Sequence, residues 1–238
     1  MDSSGPSAQT VRAHADPVVG RWLAGLAVAL IVGLQLGTIA KPLGSVGPTR
    51  VADWLDLATP YAILGCAAVI LHRVHAERRA WVLFGIGAIT FTLGHGIHLA
   101  ANSVSNVADD TVADAPVVHL WDEVVSHWIW YTGLALVLGA LAVSLRDVTT
   151  PRNPGALLLA GLVALTLVNT YIEGGTPFLG IVVLGAALAL GLLWRPQPVS
   201  ALLLVVGGLG LALLLGWGLF WLLTDSLWFP EFSELGWI

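Results

Sequence analysis

Residues 199–224 read VSALLLVVGGLGLALLLGWGLFWLLT and contain no charged side chain. A bilayer core about 30 Å thick is crossed by about 20 apolar residues in a helix, which rises about 1.5 Å per residue. Inside hydrocarbon the backbone must satisfy its hydrogen bonds internally. Because the run is continuously apolar and lacks the alternation of barrel strands, it predicts a transmembrane helix.

Six further apolar runs precede this one, each bounded by charged residues, proline or glycine. They cover residues 22–40, 56–73, 81–103, 118–144, 155–172 and 177–194. The whole chain is 57% hydrophobic and 11% charged, whereas an ordinary soluble domain has about 25% charged residues. Its mean hydropathy is +0.84. The predicted fold class is therefore an all-α membrane protein, a bundle of seven transmembrane helices.

The polar ends of the chain give the domain boundaries. We expect a disordered cytoplasmic tail over residues 1–20, the helical domain over 21–225 and an interfacial outer tail over 226–238. An alternative for the first span is a signal peptide cleaved near Thr38-Ile39-Ala40. Its length and the polar segment before it favour a membrane anchor.

The distribution of basic residues predicts the orientation, since lysine and arginine are retained on the cytoplasmic side. With the amino terminus inside, only Lys41 and Arg50 fall outside. The other basic residues fall inside: Arg12, Arg21, Arg73, Arg78, Arg79, Arg146, Arg152 and Arg195. The sequence thus predicts an inner amino terminus and an outer carboxyl terminus, in the cytoplasmic membrane of a prokaryote.

Composition argues against nucleic-acid binding and against cysteine-based cross-links or metal clusters. The net charge of −5 and the lack of a basic stripe argue against nucleic acid as a partner. Cys66 is the single cysteine, so neither an intrachain disulfide nor a cluster of thiolate ligands is possible. Membrane lipids are the expected partners.

Ionisable residues inside the predicted spans are concentrated in two segments. Residues 94–102 of the third span read GHGIHLAAN, and residues 119–128 of the fourth read HLWDEVVSHW. Polar groups inside hydrocarbon cost about 2.5–3.5 kcal/mol each on insertion scales, so they are candidates for function. Grouping so many of them favours a metal site or a proton-active site.

Helical spacing aligns these residues into two stripes at matching depth. The third span presents His95, His98 and Asn102, and the fourth presents His119, Glu123 and His127 with Ser126 and Asp122 beside them. Because the two spans are antiparallel neighbours, we expect His95 to face His127 and His98 to face Glu123.

Three imidazoles and a carboxylate suit Zn²⁺, and they also suit non-haem iron or copper. We predict His95, His98 and His127 as metal ligands, with Glu123 as the fourth ligand or general base. The other predicted catalytic residues are Asp122 and Ser126. Asn102 would orient the substrate, and Glu173, spaced i, i+4 from Asn169, would close the same cavity. The alternative is a structural set of hydrogen bonds between helices.

The segment Ser126-His127-Trp128-Ile129-Trp130-Tyr131 resembles the Ser-His-x-x-x-His signature of the CREST superfamily. That superfamily includes the alkaline ceramidases and the progestin and adipoQ receptors. Tyr131 stands where the second histidine would be, and the paired histidines of that family lie on the last helix. The resemblance covers this short segment and implies a zinc-dependent amide hydrolase that acts on a lipid.

Three functions follow as hypotheses. The first is a metal-dependent hydrolase, with zinc as cofactor, that takes a lipid or another apolar substrate at the outer side. The second is an iron or copper oxidoreductase, and the third is a transporter, proton relay or structural membrane protein. Close helix contact in a homo-oligomer is a further expectation. It rests on the glycines of the last span, which are Gly207, Gly208, Gly210, Gly216 and Gly218.

Overall fold

The computed structural model describes residues 17–105 and 115–237, and these are almost entirely helical. The α-helices are α1 (Pro17–Gly33), α2 (Leu36–Ile39), α3 (Val51–Asp56), α4 (Thr59–Arg73), α5 (Arg78–Ser105), α6 (Ala115–His119), α7 (Ser126–Ser144), α8 (Pro154–Glu173), α9 (Pro177–Leu193) and α10 (Ser200–Thr224). A 3₁₀ turn covers Lys41–Leu43, and a π-helical turn over Leu120–Val125 joins α6 to α7.

A small hairpin is the exception to the predicted all-α fold. Strands β1 (Ser45–Val46) and β2 (Thr49–Arg50) are antiparallel, with Ser45 opposite Arg50 and Val46 opposite Thr49. Gly47 takes a φ of +63° at the tight turn between them, a conformation that glycine adopts without steric cost. The hairpin lies between α1 and α4, outside the predicted spans.

Five helical segments are long and apolar enough to cross a membrane: Val51–Arg73, Arg78–Ser105, Pro116–Ser144, Pro154–Glu173 and Ser200–Thr224. This confirms apolar, membrane-compatible helices in the described part of the chain. The two remaining apolar helices, α1 and α9, have 17 residues each. The predicted first span, 22–40, is wrong in its bounds, because α1 begins at Pro17 and ends at Gly33.

Short turns connect the long helices, so that successive helices run in opposite directions between the two ends of the bundle. A side chain on Gly20, near the start of α1, would contact Pro151 before α8, whereas one on Gly33 would contact Thr59 at the start of α4. We call the end that holds the start of α1 the arginine end. Its arginines are Arg21, Arg73, Arg78, Arg79, Arg146, Arg152 and Arg195.

The most extensive helix contact is between α5 and α7, and small residues allow it. A Cβ on Gly94 would overlap the backbone of Trp130, and one on Gly133 would overlap the backbone of Phe91. A Cβ on Gly87 would lie 2.9 Å from the carbonyl oxygen of Gly133. The two backbones therefore touch along about two turns of each helix, which brings the predicted site residues together.

The last described residues, 226–237, fold back onto the bundle as a series of turns, and we call them the C-terminal segment. Phe229 is buried against Gly218 of α10, and Trp217 donates its indole N–H to the carbonyl of Pro230 at 3.0 Å. At the other end of the chain, residues 17–20 of the predicted disordered tail are helical. Residues 1–16 lie outside the described part.

Candidate functional site

The histidines of α5 and α7 meet at the end of the bundle opposite the arginines. The ring centroids of His98 and His127 are 4.9 Å apart. His95 lies one turn deeper, where its ring meets that of Trp130 edge to face at 4.9 Å. The ring beside His127 is thus His98 rather than the predicted His95. We call His95, His98 and His127 the histidine cluster.

Each imidazole in the histidine cluster has its own carboxylate neighbour. His98 Nδ1 lies 2.8 Å from Asp122 Oδ1, and His95 Nε2 lies 3.2 Å from Asp56 Oδ2. His127 Nδ1 lies 3.6 Å from Glu123 Oε2. The contacts of His98 and His95 are within hydrogen-bonding distance, and that of His127 is longer. His98 Nδ1, His95 Nε2 and His127 Nδ1 make no hydrogen bond of acceptable geometry in the described part of the chain, so proximity alone defines the three histidine–carboxylate pairs.

The π-helical turn decides which acidic residue faces α5. A π turn holds one residue more than an α turn, so it rotates the preceding residues relative to the regular helical stripe. Asp122 is consequently 3% exposed and lies against His98, while the side chain of Glu123 is 38% exposed. The prediction that Glu123 faces His98 is wrong because it assumed unbroken α-helical spacing.

Ser126 stabilises this turn. Its hydroxyl is fully buried and donates a hydrogen bond to the backbone carbonyl of Asp122. A carbonyl released by the change from i+4 to i+5 bonding needs such a partner. In this geometry the hydroxyl predicted as catalytic positions Asp122.

Aromatic rings enclose the histidine cluster on the bundle side. Trp130 lies 5.2 Å from His98 between ring centroids, and Tyr131 stacks on His127 at 5.2 Å with an angle of 7° between the planes. Tyr131 in turn meets Tyr171 of α8 edge to face. The indole Nε1 of Trp130 and the hydroxyl of Tyr171 are buried with no hydrogen-bond partner within the described part of the chain.

Asp53 and Asp56 belong to the site although the sequence analysis did not select them. Asp53 is 5% exposed and pairs with Arg50 at 2.8 Å. Asp56 accepts a hydrogen bond from Thr59 at 2.6 Å besides contacting His95. The predicted second span started at residue 56, which placed α3 in a loop. The i, i+3 spacing of the two aspartates was the signal that they share a helix face.

Asn102 points toward this aspartate pair rather than toward the imidazoles. Its Nδ2 donates to Asp53 Oδ1 at 3.4 Å, and the hydroxyl of Ser103 donates to Asp53 Oδ2 at the same distance. Both residues tie the end of α5 to α3. This links Asn102 to the site through Asp53.

Asn169 and Glu173, which the spacing placed together, separate in the structure. Asn169 Nδ2 donates to Gln35 Oε1 at 3.0 Å, so it joins α8 to the end of α1. Glu173 Oε1 accepts from the backbone N–H of Phe232 in the C-terminal segment. Glu231 lies near Glu173. Burial and the charges of Glu234, Glu123 and Glu173 raise the pKa of Glu231 from 4.5 to about 7.

The predicted four-ligand metal site is not formed by this placement. Across residues 17–105 and 115–237, no three His, Cys, Asp or Glu side chains are grouped as they would be around a metal ion. The carbonyl oxygens of Glu123 and Gly174 also lie beside the His127 ring. The geometry is one of separate pairs.

A shallow apolar depression lies on the surface beside α5. It is lined by Ile97, Ala101 and Val104 of α5 and by Val117 and Trp121 across from them. Ile97 and Trp121 directly precede His98 and Asp122 in the chain, but neither His98 nor Asp122 lines the depression.

Comparisons with protein-family models, curated proteins and solved structures found no match to this chain.

Proposed function

We propose that this chain is a membrane-embedded hydrolase that acts on a lipid or another apolar substrate. The observation that carries the proposal is the contact of two buried imidazoles with carboxylates, at 2.8 Å between His98 Nδ1 and Asp122 Oδ1 and at 3.2 Å between His95 Nε2 and Asp56 Oδ2. A carboxylate that holds an imidazole fixes its orientation and stabilises the imidazolium formed when the ring accepts a proton. Such a pair is equipped to take a proton from water.

Within this proposal His98 is the general base and Asp122 orients it, since their contact is the shortest at 2.8 Å. Glu123, more exposed and beside His127, is suited to return a proton to the leaving group. The unpartnered indole N–H of Trp130 is a donor for a substrate oxygen or a bound water. The apolar surface depression at Ile97 and Trp121, each one residue before a member of the His98–Asp122 pair, would suit an apolar substrate.

The distribution of ionisable groups argues against proton conduction across the membrane. From the arginine end up to the level of Phe91, the described helix interiors offer no carboxylate or imidazole that would continue the path from His95, and Cys66 is the titratable side chain at mid-depth. A transmembrane relay needs groups along its whole length. Chemistry confined to the histidine end favours an enzyme over a transporter.

Seven spans, an inner amino terminus and an outer carboxyl terminus complete the proposal. The arginine end is then cytoplasmic by the positive-inside rule, and the site opens outward. α1 and α9 would span about 26 Å at 1.5 Å per residue, close to the bilayer core. A reporter active only outside the cytoplasm, fused after Ile238, should be active. Activity of the opposite reporter at that position would contradict the orientation.

The proposed hydrolase is tested by incubating the purified protein with mixed micelles of lipid amides and esters and measuring released fatty acid. The wild type should release acid, and His98→Ala should lower the rate about 10²–10⁴-fold, the range of general acid–base catalysis. His72→Ala is the matched control, because His72 is an exposed histidine at the arginine end. No release by folded wild type from any substrate, or equal rates in both variants, would contradict the proposal.

A zinc-dependent form of the same reaction is the second candidate. Histidines that bind a metal through one nitrogen usually donate from the other to a carboxylate, as these pairs would allow. In the described part of the chain, however, no three of the His, Asp and Glu side chains are grouped around one point as they would be around a metal ion, and His95 stands apart beside Asp56. The arrangement therefore does not fit the predicted zinc ion.

Elemental analysis of the same preparation distinguishes these forms. Stoichiometric zinc that is lost in both His98→Ala and His127→Ala would establish the zinc-dependent form. Iron or copper with the same dependence would instead indicate the oxidoreductase. Activity with no stoichiometric metal would indicate that the histidine–carboxylate pairs catalyse the reaction by acid–base chemistry without a metal.

A further inference from the structure

A cavity of about 780 Å³ lies on the other side of the molecule from the histidine cluster. It is bounded by parts of α1, α7, α8, α9 and α10 and reaches the arginine end at Pro17 and Pro151. Its size is in the range of small-molecule sites, about 300–1,000 Å³. Nothing in the proposed hydrolase uses this space.

The walls of the cavity are apolar, and its polar side chains lie at one end. The lining is leucine, alanine, valine, glycine and proline apart from Arg21 and Asn153. Water occupies a cavity only where it finds two to four polar partners, so most of this space does not suit water. An alkyl chain suits it.

The part of the cavity beyond Arg21 corresponds in length to one leaflet of a bilayer. Along α1 the lining runs from Pro17 to Leu30, and the stretch from Arg21 to Leu30 is about 14 Å at 1.5 Å per residue. Half of a hydrocarbon core about 30 Å thick is about 15 Å. An acyl chain entering beside Arg21 would therefore end near the middle of the membrane.

The helix packing leaves this space open. α1 packs chiefly on α4, and α9 packs chiefly on α10, yet both line the cavity. Near the arginine end, α1 comes close to the loop before α8, because a Cβ on Gly20 would lie 3.1 Å from the ring of Pro151. Between these helices the space is not filled by side chains.

Arg21 supplies a positive charge at the level of the lipid headgroups. It is exposed and makes no hydrogen bond or ion pair with the described residues. By contrast, Arg152 donates to the carbonyls of Gln197 and Pro198, and Arg146 lies over the ring of Trp194. The start of α8, also at the mouth, adds the partial positive charge of a helix amino terminus.

We propose that this cavity binds one anionic phospholipid from the leaflet at the arginine end. One of the two acyl chains would fill the space between α1 and α9, and the phosphate of the lipid would pair with Arg21. The described arginine end carries seven arginines against Glu77 and Asp147, so its charge is complementary to an anionic headgroup. This site is separate from the histidine cluster and does not depend on the proposed hydrolase.

The test is native mass spectrometry of the full chain released from nanodiscs that contain equal amounts of phosphatidylglycerol and phosphatidylcholine. The wild type should retain one phosphatidylglycerol. Arg21→Gln should lower its retention about fivefold, the factor expected from about 1 kcal/mol per basic residue near the surface. Arg79→Gln, a cation at the same end that does not line the cavity, should retain the lipid as the wild type does.

A second pair of variants tests the cavity itself. Ala24→Phe fills it, whereas Val28→Phe adds the same bulk on the same helix where the side chain faces outward. The first should lose the bound lipid and the second should keep it. Ala187→Phe fills the cavity from α9 if Ala24→Phe does not fold.

Four outcomes would overturn the proposal. Three of them are a wild type without bound lipid, equal retention of phosphatidylcholine, and a phosphatidylglycerol adduct that survives in a folded cavity-filling variant. A retained fatty acid in place of the phospholipid would also overturn it, because the proposal commits to a phospholipid.

Discussion

His98 and Asp122 form the contact on which the site depends, and each is held from a different direction. His98 is placed by the close approach of α5 to α7, and Asp122 is turned toward it by the π-helical turn that Ser126 stabilises. The sequence predicted both residues from the cost of burying polar groups. It could not predict their pairing, because that depends on one extra residue in a helical turn.

The contribution of Glu231 in the C-terminal segment to the stability of the fold depends on pH. Burial and the carboxylates of Glu234, Glu123 and Glu173 raise its pKa to about 7. Between pH 4.5 and 7 the folded protein therefore holds a proton that the unfolded chain releases. The stability from this group is complete below pH 4.5 and is lost as pH rises through 7. Thermal unfolding in detergent should therefore show a falling Tm from pH 5 to pH 8.

Glu231→Gln should remove this part of the fall in Tm, because glutamine stays neutral. Asp225→Asn is the control, since Asp225 is exposed directly before the same segment. It should follow the wild type. Parallel Tm curves for wild type and Glu231→Gln would show that Glu231 is ionised alike in both states.

At the scale of elements, the contact between α5 and α7 is what brings the two polar stripes together. Its glycines were visible in the sequence as part of GHGIHLAAN and of the following helix, but their role was not. A glycine on an apolar helix is equally compatible with lipid and with a neighbouring backbone. Gly85, for example, has open space where a Cβ would be, whereas Gly94 meets Trp130.

Gly94→Ala should destabilise the protein by about 1–3 kcal/mol, because the added methyl group forces α5 and α7 apart. Gly85→Ala should be neutral or slightly stabilising, since the same methyl group meets nothing and removes backbone freedom from the unfolded chain. Thermal unfolding of both variants measures the difference. Equal stabilities would contradict the close backbone contact.

At the scale of the whole molecule, the two ends differ in chemistry. The histidine end holds the buried ionisable pairs together with Lys41 and Arg50, and the arginine end holds the other described arginines and the opening of the large apolar cavity. Apolar runs and arginine positions predicted this division correctly in outline. They placed α3 in a loop and extended the first span too far, because the turn after Gly33 and the role of Gln35 with Asn169 depend on tertiary contacts.

The central claim is that His98 and Asp122 act as one acid–base unit. A double-mutant cycle on kcat/KM for the released fatty acid tests it most directly, with His98→Ala, Asp122→Asn and the double variant. Residues that act as a unit are strongly non-additive, so the double variant should be no slower than His98→Ala alone. Losses that multiply in the double variant, or an Asp122→Asn rate equal to the wild type, would contradict the account.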